Sequence, residues 1–152
     1  MNIVVCVKQV VDPDVPTSAF HLDDETNRVH VAEGIPPVIN GFDENAVEAA
    51  LIIREETAGK ITALSVGNDF AMDVMKKPLS MGVDDLVLVN DSQFFQLDAA
   101  ATVYVLSEAI KKIGKVDLVL CGRQASDWDN AHVPLGLAEA LGLPGITMAQ
   151  KV

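Results

Sequence analysis

Residues 121–133 have the composition and the position of an anion-binding loop. They follow a short apolar run at residues 116–120, and Gly122 stands at their start, so the chain can turn there with its backbone amides uncovered. Beyond them, apolar residues recur at helical spacing as far as Leu141. Unpaired amides at the beginning of that helix would face the end of the strand. The pattern predicts a phosphate site.

The same residues also fit an ordinary connection between a strand and a helix. In that interpretation Asp127 or Asp129 caps the helix and no ligand binds. Any strand followed by a helix offers amides that favour an anion, so spacing does not separate the two interpretations. Both remain open from the residues alone.

Composition limits the class of protein and of partner. The 152 residues, with 49% hydrophobic content and a mean hydropathy of +0.27, predict one compact domain over residues 1–152 with a sizeable core. A net charge of -11 argues against nucleic acid or an anionic membrane as the main partner. A bound anion must therefore be held locally, by backbone amides, Lys8 and Arg123.

The cysteines and histidines predict no metal and no disulfide. Cys6 and Cys121 lack ligand spacing and have apolar flanks, so we expect reduced thiols that act as small core residues at strand ends. His21, His30 and His132 are scattered along the chain. The first apolar run is too short for a signal sequence or a membrane span, which predicts a cytoplasmic location.

Apolar runs and turn residues predict alternating strands and helices. Strands are expected at residues 3–7, 61–66, 86–89, 116–120 and 146–148. Helices are expected from about residue 43 to Gly59, over 97–113 and over about 130–141, with a broken one at Pro78. A surface hairpin is expected around a turn at residues 23–27.

This element order predicts an α/β fold with a doubly wound, five-stranded parallel sheet. The expected strand order is 3-2-1-4-5, with helices on both faces and a small β-hairpin inserted after the first strand. Such sheets bind ligands above the carboxyl ends of the strands, where the strand order reverses. The ends of strands one and four should therefore face one crevice. The glycine patterns of dinucleotide folds and P-loops are absent from the sequence.

Five motifs resemble the β subunits of electron transfer flavoproteins. In order they are Asn-Ile-Val-Val-Cys-Val-Lys-Gln-Val at residues 2–10, Asn-x-Phe-Asp-Glu-x-Ala-Val-Glu at 40–48, Leu-Ser-Val-Gly at 64–67, Met-Gly-Val-Asp at 81–84 and Cys-Gly-Arg-Gln-Ala-x-Asp-x-Asp at 121–129. The resemblance covers essentially the whole chain. It implies an adenine-nucleotide-binding fold similar to that of universal stress proteins.

The resemblance also implies a partner and a cofactor. Such a subunit pairs with an α subunit that carries a redox-active FAD, and the heterodimer passes electrons between dehydrogenases, often acyl-CoA dehydrogenases, and another acceptor or donor. The β subunit holds AMP in the ordinary branch and a second FAD in the electron-bifurcating and nitrogen-fixation-linked branch. The opening at residues 7–10, Val-Lys-Gln-Val, favours the second branch. The cofactor would carry the reaction, with no catalytic side chain of the chain's own. The alternative is a stand-alone regulatory module similar to universal stress proteins.

Carried over position by position, the resemblance implies a set of ligand contacts. They are Cys6, Val7, Asn40, Gly41, Phe42, Asp43, Val66, Gly122, Arg123, Gln124, Ala125, Ser126, Asp127, Trp128, Asp129, Asn130, Ala131, His132 and Val133. Within this set, Cys6 lets adenine approach the backbone and Val66 forms an apolar wall. Asn40 bonds to a base or ribose, and the amides from Ser126 onward hold phosphate. Asp127 and Asp129 are expected to cap the helix or to accept ribose hydroxyls.

Several positions depart from the family pattern. Trp128 stands in place of Gly, Asn130 in place of Thr and His132 in place of Gln. The indole of Trp128 either stacks on a ligand ring or blocks part of the site, and we favour stacking at the rim. Family members continue past the fifth strand into a region that contacts the α subunit and the dehydrogenase. A chain that ends at Val152 is expected to be a fragment or a shortened relative.

Overall fold

Four parallel strands form the main sheet of the computed structural model, which describes residues 1–25, 27–95 and 97–151. In chain order the elements are β1 (Asn2–Cys6), β2 (Gln9–Val10), β3 (Phe20–Asp23), β4 (Arg28–Val31), β5 (Val38–Ile39), α1 (Gly41–Thr57), β6 (Lys60–Gly67), α2 (Met72–Met75), α3 (Lys77–Met81), β7 (Asp85–Asn90), α4 (Ala99–Ile113), β8 (Leu118–Cys121) and α5 (Val133–Leu141). Short 3-10 turns lie at Thr17–Ala19 and Ser92–Phe94.

The main sheet has the order β7-β6-β1-β8, with every neighbouring pair parallel. The central strand β1 aligns Ile3 with Ile61 of β6 and with Leu118 of β8. A strand in this position is covered on both faces, which is why residues 3–5 form an uninterrupted apolar run. The predicted α/β class with a parallel sheet is confirmed, and the order corresponds to the first four strands of the predicted one.

The fifth strand predicted at residues 146–148 is not formed in the part of the chain that the structure describes. α5 ends in a left-handed turn at Gly142, where the Leu143 amide donates to the Ala138 carbonyl at 2.9 Å. Ile146 beyond this cap is 89% exposed, and β8 pairs with β1 alone among the described strands. The segment Ile-Thr-Met at residues 146–148 does not make a strand without a partner, so the five-strand order is not confirmed.

Helices cover the two faces of the sheet with separate apolar clusters. Alternate residues of β1 point to opposite faces, so Val5 packs with Val47 of α1 on one side. On the other side Val4 packs with Leu106 of α4 and Leu137 of α5. No helix in residues 1–25, 27–95 and 97–151 is long and apolar enough to cross a membrane.

Local sequence signals explain where the helices begin and end. The helix predicted to break at Pro78 is two short helices, with α2 ending at Met75 and Pro78 in the first turn of α3. α4 begins at Ala99 because the carboxylate of Asp98 accepts the Ala101 amide at 2.7 Å. α5 begins three residues later than predicted, which leaves a longer loop before it.

Two small antiparallel pairs follow the first strand. β3 and β4 pair from Phe20 with Val31 to Asp23 with Arg28, in the segment predicted as a surface hairpin. Thr26, within the predicted turn, lies outside the described residues. β2 pairs with β5, and this pairing brings the start of α1 beside the end of β1.

Candidate functional site

A cleft of about 990 Å³ opens at the carboxyl ends of β1, β6 and β8. This is the point where the chain order of the sheet reverses, and open α/β sheets bind ligands there. A smaller cleft of about 400 Å³ lies at the amino ends of the strands, beside the ion pair of Lys60 and Asp85. The position relative to the switch point makes the larger cleft the candidate site.

Most of the residues expected to contact a ligand line the cleft. They are Cys6, Val7, Asn40, Asp43, Val66, Gly122, Gln124, Ala125, Asp127, Trp128, Asn130, Ala131, His132 and Val133. Gly41, Phe42, Arg123, Ser126 and Asp129 of the expected set are not among its lining residues. The residues from Gly122 to His132, which we call the cleft loop, form much of one wall.

Asn40 fixes the conformation of the cleft loop. It is 1% exposed, and its Nδ2 donates to the Gln124 carbonyl at 2.8 Å while its Oδ1 accepts the Ser126 amide at 3.3 Å. Its own amide donates to the Lys8 carbonyl at 2.8 Å. The sequence predicts that Asn40 bonds to a base or ribose. In the structure its amide group binds the protein backbone, so it acts as a positioning residue.

Asp43 joins three elements at the bottom of the site. Its Oδ2 accepts the amide of Lys8, just after β1, at 2.8 Å, and its Oδ1 accepts the amide of Gly122, just after β8, at 3.2 Å. A Cβ atom at Gly122 would lie 2.2 Å from Asp43 Oδ1 and 2.7 Å from the backbone carbon of Phe42. Glycine is therefore needed at position 122 for close approach to α1.

The surroundings of Asp43 oppose its ionisation. Burial raises the pKa of Asp43 from its usual value of 3.8 to about 7, although hydrogen bonds from the Asn40 side chain and from the Lys8 and Gly122 amides favour the ionised form. The carboxyl group therefore changes charge near neutral pH.

Lys8 and Asp127 pair with each other across the cleft edge. Lys8 Nζ lies 2.9 Å from Oδ1 and 2.7 Å from Oδ2 of Asp127. The two side chains are 46% and 21% exposed, so the pair contributes on the order of 0–1 kcal/mol to stability. Its main effect is geometric, because it ties the cleft loop to the segment after β1. Lys8 was expected to help hold an anion, but its positive charge is already paired with the Asp127 carboxylate.

The capping interpretation of Asp127 and Asp129 is wrong. α5 has His132 at its N-cap position, and no side chain of a described residue caps it. Asp129 Oδ1 instead accepts Gln124 Nε2 at 2.7 Å within the cleft loop. The amides at the start of α5 are therefore not covered by either carboxylate.

The cleft loop carries backbone strain and a buried hydroxyl without a partner. Asp129 and Ala131 have φ values of 52° and 53°, in the left-handed region that side chains disfavour. Ser126 Oγ is buried with no hydrogen-bond partner among the described residues. Strained residues and unsatisfied polar atoms are costly, and they cluster at ligand sites.

Two large side chains of the cleft loop, those of Trp128 and Arg123, lie outside the body of the cleft. Trp128 lines the cleft yet is 74% exposed, so its indole stands at the rim and does not fill the space. The guanidinium of Arg123 lies 5.4 Å from the ring centroid of Phe42, and its Nε donates to Gln124 Oε1 at 2.8 Å. The structure does not bring Arg123 into the cleft, where it was expected to hold an anion.

The sequence missed one entire wall of the cleft. This wall is formed by the start of α4 and the turn before it, and it includes Phe95, Leu97, Asp98, Ala99, Ala100, Thr102 and Leu106. Asn68, Cys121 and Pro134 also line the cleft. Asp98 was the sequence signal that could have indicated this wall. An aspartate before an alanine-rich segment marks a helix start, and this start is the second one, after that of α5, on the same side of the sheet.

The fold and the cleft define a class of protein: a doubly wound α/β domain with a cleft at its switch point, where such sheets bind ligands. Residues 28–152 match the family model described as the electron transfer flavoprotein domain. The chain belongs to the electron transfer flavoprotein family, which confirms the resemblance seen in the sequence.

Three relatives illustrate the similarity, and each alignment covers 100% of this chain. The chain is 42% identical to "Electron transfer flavoprotein subunit beta" of Megasphaera elsdenii, 39% to "Caffeyl-CoA reductase-Etf complex subunit CarD" of Acetobacterium woodii and 38% to "Protein FixA" of Azorhizobium caulinodans. The alignments cover 57%, 56% and 54% of those proteins. The chain therefore spans about half the length of the curated relatives it matches.

Replacement of Gly122 by alanine is expected to destabilise the fold. The added Cβ would overlap Asp43 and the backbone of Phe42, so we expect a loss of roughly 1–3 kcal/mol in the free energy of unfolding, measured by urea denaturation. Gly41→Ala is the control, because no atom of the described residues lies within 4 Å of a Cβ there and the position is helical. Equal stability of the two variants would contradict the close approach.

The stability of the protein is expected to fall as pH rises from about 4 to about 7. The folded chain binds a proton at Asp43 more tightly than the unfolded chain does, so this contribution is complete below the unfolded pKa and is lost as pH passes the folded pKa of about 7. The slope from this group is at most about 1.4 kcal/mol per pH unit.

The matching experiment compares urea denaturation of the wild type, Asp43→Asn and Glu48→Gln across that pH range. Asp43→Asn should lose part of the pH dependence, and Glu48→Gln, on the exposed side of α1, should retain it. Parallel pH profiles for the wild type and Asp43→Asn would show that Asp43 does not titrate in this window.

Proposed function

We propose that this chain is the nucleotide-binding part of an electron transfer flavoprotein β subunit. It binds FAD or AMP in the cleft and, together with an α subunit, carries electrons between dehydrogenases and a further acceptor or donor. The proposal rests on one observation: a chain of this family has a large cleft at the switch point of its sheet, with a fixed loop beside it. The volume of about 990 Å³ lies at the upper end of the usual range for small-molecule sites.

The residues that line the cleft suit an adenine nucleotide. Val66 and Leu106 are apolar and would pack against an adenine ring. The amide of Val133 at the start of α5 and the side chain of Asn130 are donors for phosphate, and the helix dipole favours a negative charge there. The Ser126 amide, expected to hold phosphate, already donates to Asn40, which leaves this task to the residues nearer α5.

Ser126 supplies a second argument for a ligand. Its hydroxyl is buried without a partner, whereas its backbone is held in place by Asn40. A polar atom in this state costs free energy unless something bonds to it. Because Ser126 does not itself line the cleft, we propose that this partner is a water molecule that also contacts the bound nucleotide.

The cofactor determines the chemistry of this subunit. FAD, when bound, would supply electron transfer through its flavin, whereas AMP would be a structural ligand. The residues of the chain bind and orient the nucleotide. Trp128, at the exposed rim, is placed to stack on a ring that extends out of the cleft. The similarity to FixA and CarD, together with the Val-Lys-Gln-Val opening, favours FAD.

The partners proposed here follow from the names of the relatives. One is an α subunit that completes a heterodimer. Another is a dehydrogenase or reductase acting on a CoA ester, such as an acyl-CoA dehydrogenase, since similar chains are named as parts of a caffeyl-CoA and an acryloyl-CoA reductase system. We propose a cytoplasmic location and a single domain over residues 1–152.

Purification together with an α subunit tests the function. We expect a stable heterodimer in which the nucleotide released from this chain on denaturation is FAD, with a matching visible flavin spectrum. Release of AMP would support the structural-ligand form. A homodimer that binds ATP or AMP, and that does not associate with the α subunit, would contradict the carrier function and support the stand-alone regulatory module.

Ser126→Ala is expected to have opposite effects on stability and on binding. Without nucleotide, removal of the unsatisfied hydroxyl should leave the free energy of unfolding unchanged or raise it by roughly 1 kcal/mol. With nucleotide, the loss of one donor should weaken binding by about fivefold to tenfold, equivalent to roughly 1 kcal/mol.

The measurements are urea denaturation and titration calorimetry with AMP and FAD. Ser80→Ala is the control, because its hydroxyl already donates to the Lys77 carbonyl and it lies in α3, outside the cleft loop. An unchanged affinity for both nucleotides in Ser126→Ala would exclude the hydroxyl from the binding site.

A further inference from the structure

The two cysteines of the chain are direct neighbours across two strands. Cys6 is the last residue of β1 and Cys121 the last residue of β8, and the parallel register aligns them. Neighbouring strands lie about 4.7–4.9 Å apart, and a disulfide accepts Cα separations of about 4.4–6.8 Å. The sequence contains two cysteines in all, so each has one possible partner within the chain. The sequence predicted that the two strand ends face one crevice, but it predicted the thiols only as small core residues and did not pair them.

Both thiols are free and line the cleft. The hydrogen bond with the Cys121 thiol, burial, and the charges of Cys121 and Asp43 raise the pKa of Cys6 well above its usual value. The pair is therefore stable as two neutral thiols at rest. Both residues are partly exposed and line the cleft, so a small molecule bound there lies beside them.

We propose that Cys6 and Cys121 form a reversible dithiol–disulfide site in the cleft, oxidised by a small-molecule disulfide such as oxidised glutathione. In the first step, one cysteine loses its proton and its sulfur attacks one sulfur of the oxidant, which releases one glutathione thiolate and leaves a mixed disulfide. In the second step, the other cysteine loses its proton and displaces the second glutathione thiolate. Two electrons pass to the oxidant, and the two released protons yield two reduced glutathione molecules.

The geometry makes this disulfide reducible. Side chains on neighbouring parallel strands point the same way, so their Cβ atoms stay near the strand spacing, whereas a relaxed disulfide needs about 3.5–4.5 Å. A disulfide that draws the strands together is strained, and strained disulfides have higher reduction potentials than structural ones. The bond would form in an oxidising thiol pool and be cleaved when that pool is reduced.

The position of the pair couples it to the bound nucleotide, a consequence that rests on the proposed function. Cys6 and Cys121 share the cleft with Val66 and Gly122, so a nucleotide there would cover both sulfur atoms. A disulfide would in turn shift the ends of β1 and β8, which Asp43 connects through the Lys8 and Gly122 amides. The oxidised chain should therefore bind nucleotide more weakly than the reduced one.

The test treats the reduced full chain with oxidised glutathione and records its intact mass without reductant. We expect a species lighter than the reduced chain by two hydrogen atoms, simultaneous loss of both titratable thiols, a peptide pair linking Cys6 to Cys121, and recovery with dithiothreitol. Cys6→Ser and Cys121→Ser should each stop at one glutathione adduct. A wild type that retains two free thiols, carries stable adducts or forms chain-to-chain dimers would overturn the proposal, and this result does not depend on how the variants fold.

A second arm separates this proposal from the proposed function. With AMP or FAD at about ten times its Kd, oxidation should slow roughly tenfold, because only the free fraction reacts. If neither nucleotide binds, the proposed function fails while the mass result stands by itself. If a nucleotide binds and oxidation is not slowed, the placement of the thiols beside the nucleotide is wrong.

Discussion

The carboxylate of Asp43 is the constraint on which the site depends. One oxygen accepts an amide just after β1 and the other an amide just after β8, so the first turn of α1 holds the two strand ends together. These turns approach α1 so closely that position 122 accommodates only glycine without displacement. Because the cleft opens above the same strand ends, its shape follows from this contact. A single buried carboxyl group thus links the packing of the sheet to the geometry of the cleft.

The acidic character of the chain explains how the site is built. A net charge of -11 provides no general attraction for phosphate, so binding has to come from local dipoles. Lys8 is neutralised by Asp127, and Arg123 lies over Phe42 outside the cleft. What remains at the cleft wall are uncharged donors and the starts of two helices, of which α4 is already capped by the Asp98 carboxylate. Such a site distinguishes a ligand by shape and hydrogen bonding more than by charge.

The sequence predicted those features whose causes are local. The buried strands follow from continuous apolar runs and the broken helix from Pro78. It also located most of the cleft residues, because loops after adjacent parallel strands meet at one edge. The role of Asn40 was not predictable, since its partner at Gln124 lies 84 positions away. The prediction of a fifth strand was not confirmed for a related reason, because a strand forms only where a second segment pairs with it.

The cleft loop is organised before any ligand arrives. Its positive φ angles at Asp129 and Ala131 each cost on the order of 1–3 kcal/mol, and they persist only because other contacts fix the backbone. Those contacts are present: Asn40 bonds to the backbone at Gln124 and Ser126, Gln124 bonds to Asp129, and Lys8 pairs with Asp127. A loop held in this way loses little further conformational entropy on binding, which favours affinity for a nucleotide. The strain at the site is therefore offset within the protein, and the ligand does not have to supply the energy that orders the loop.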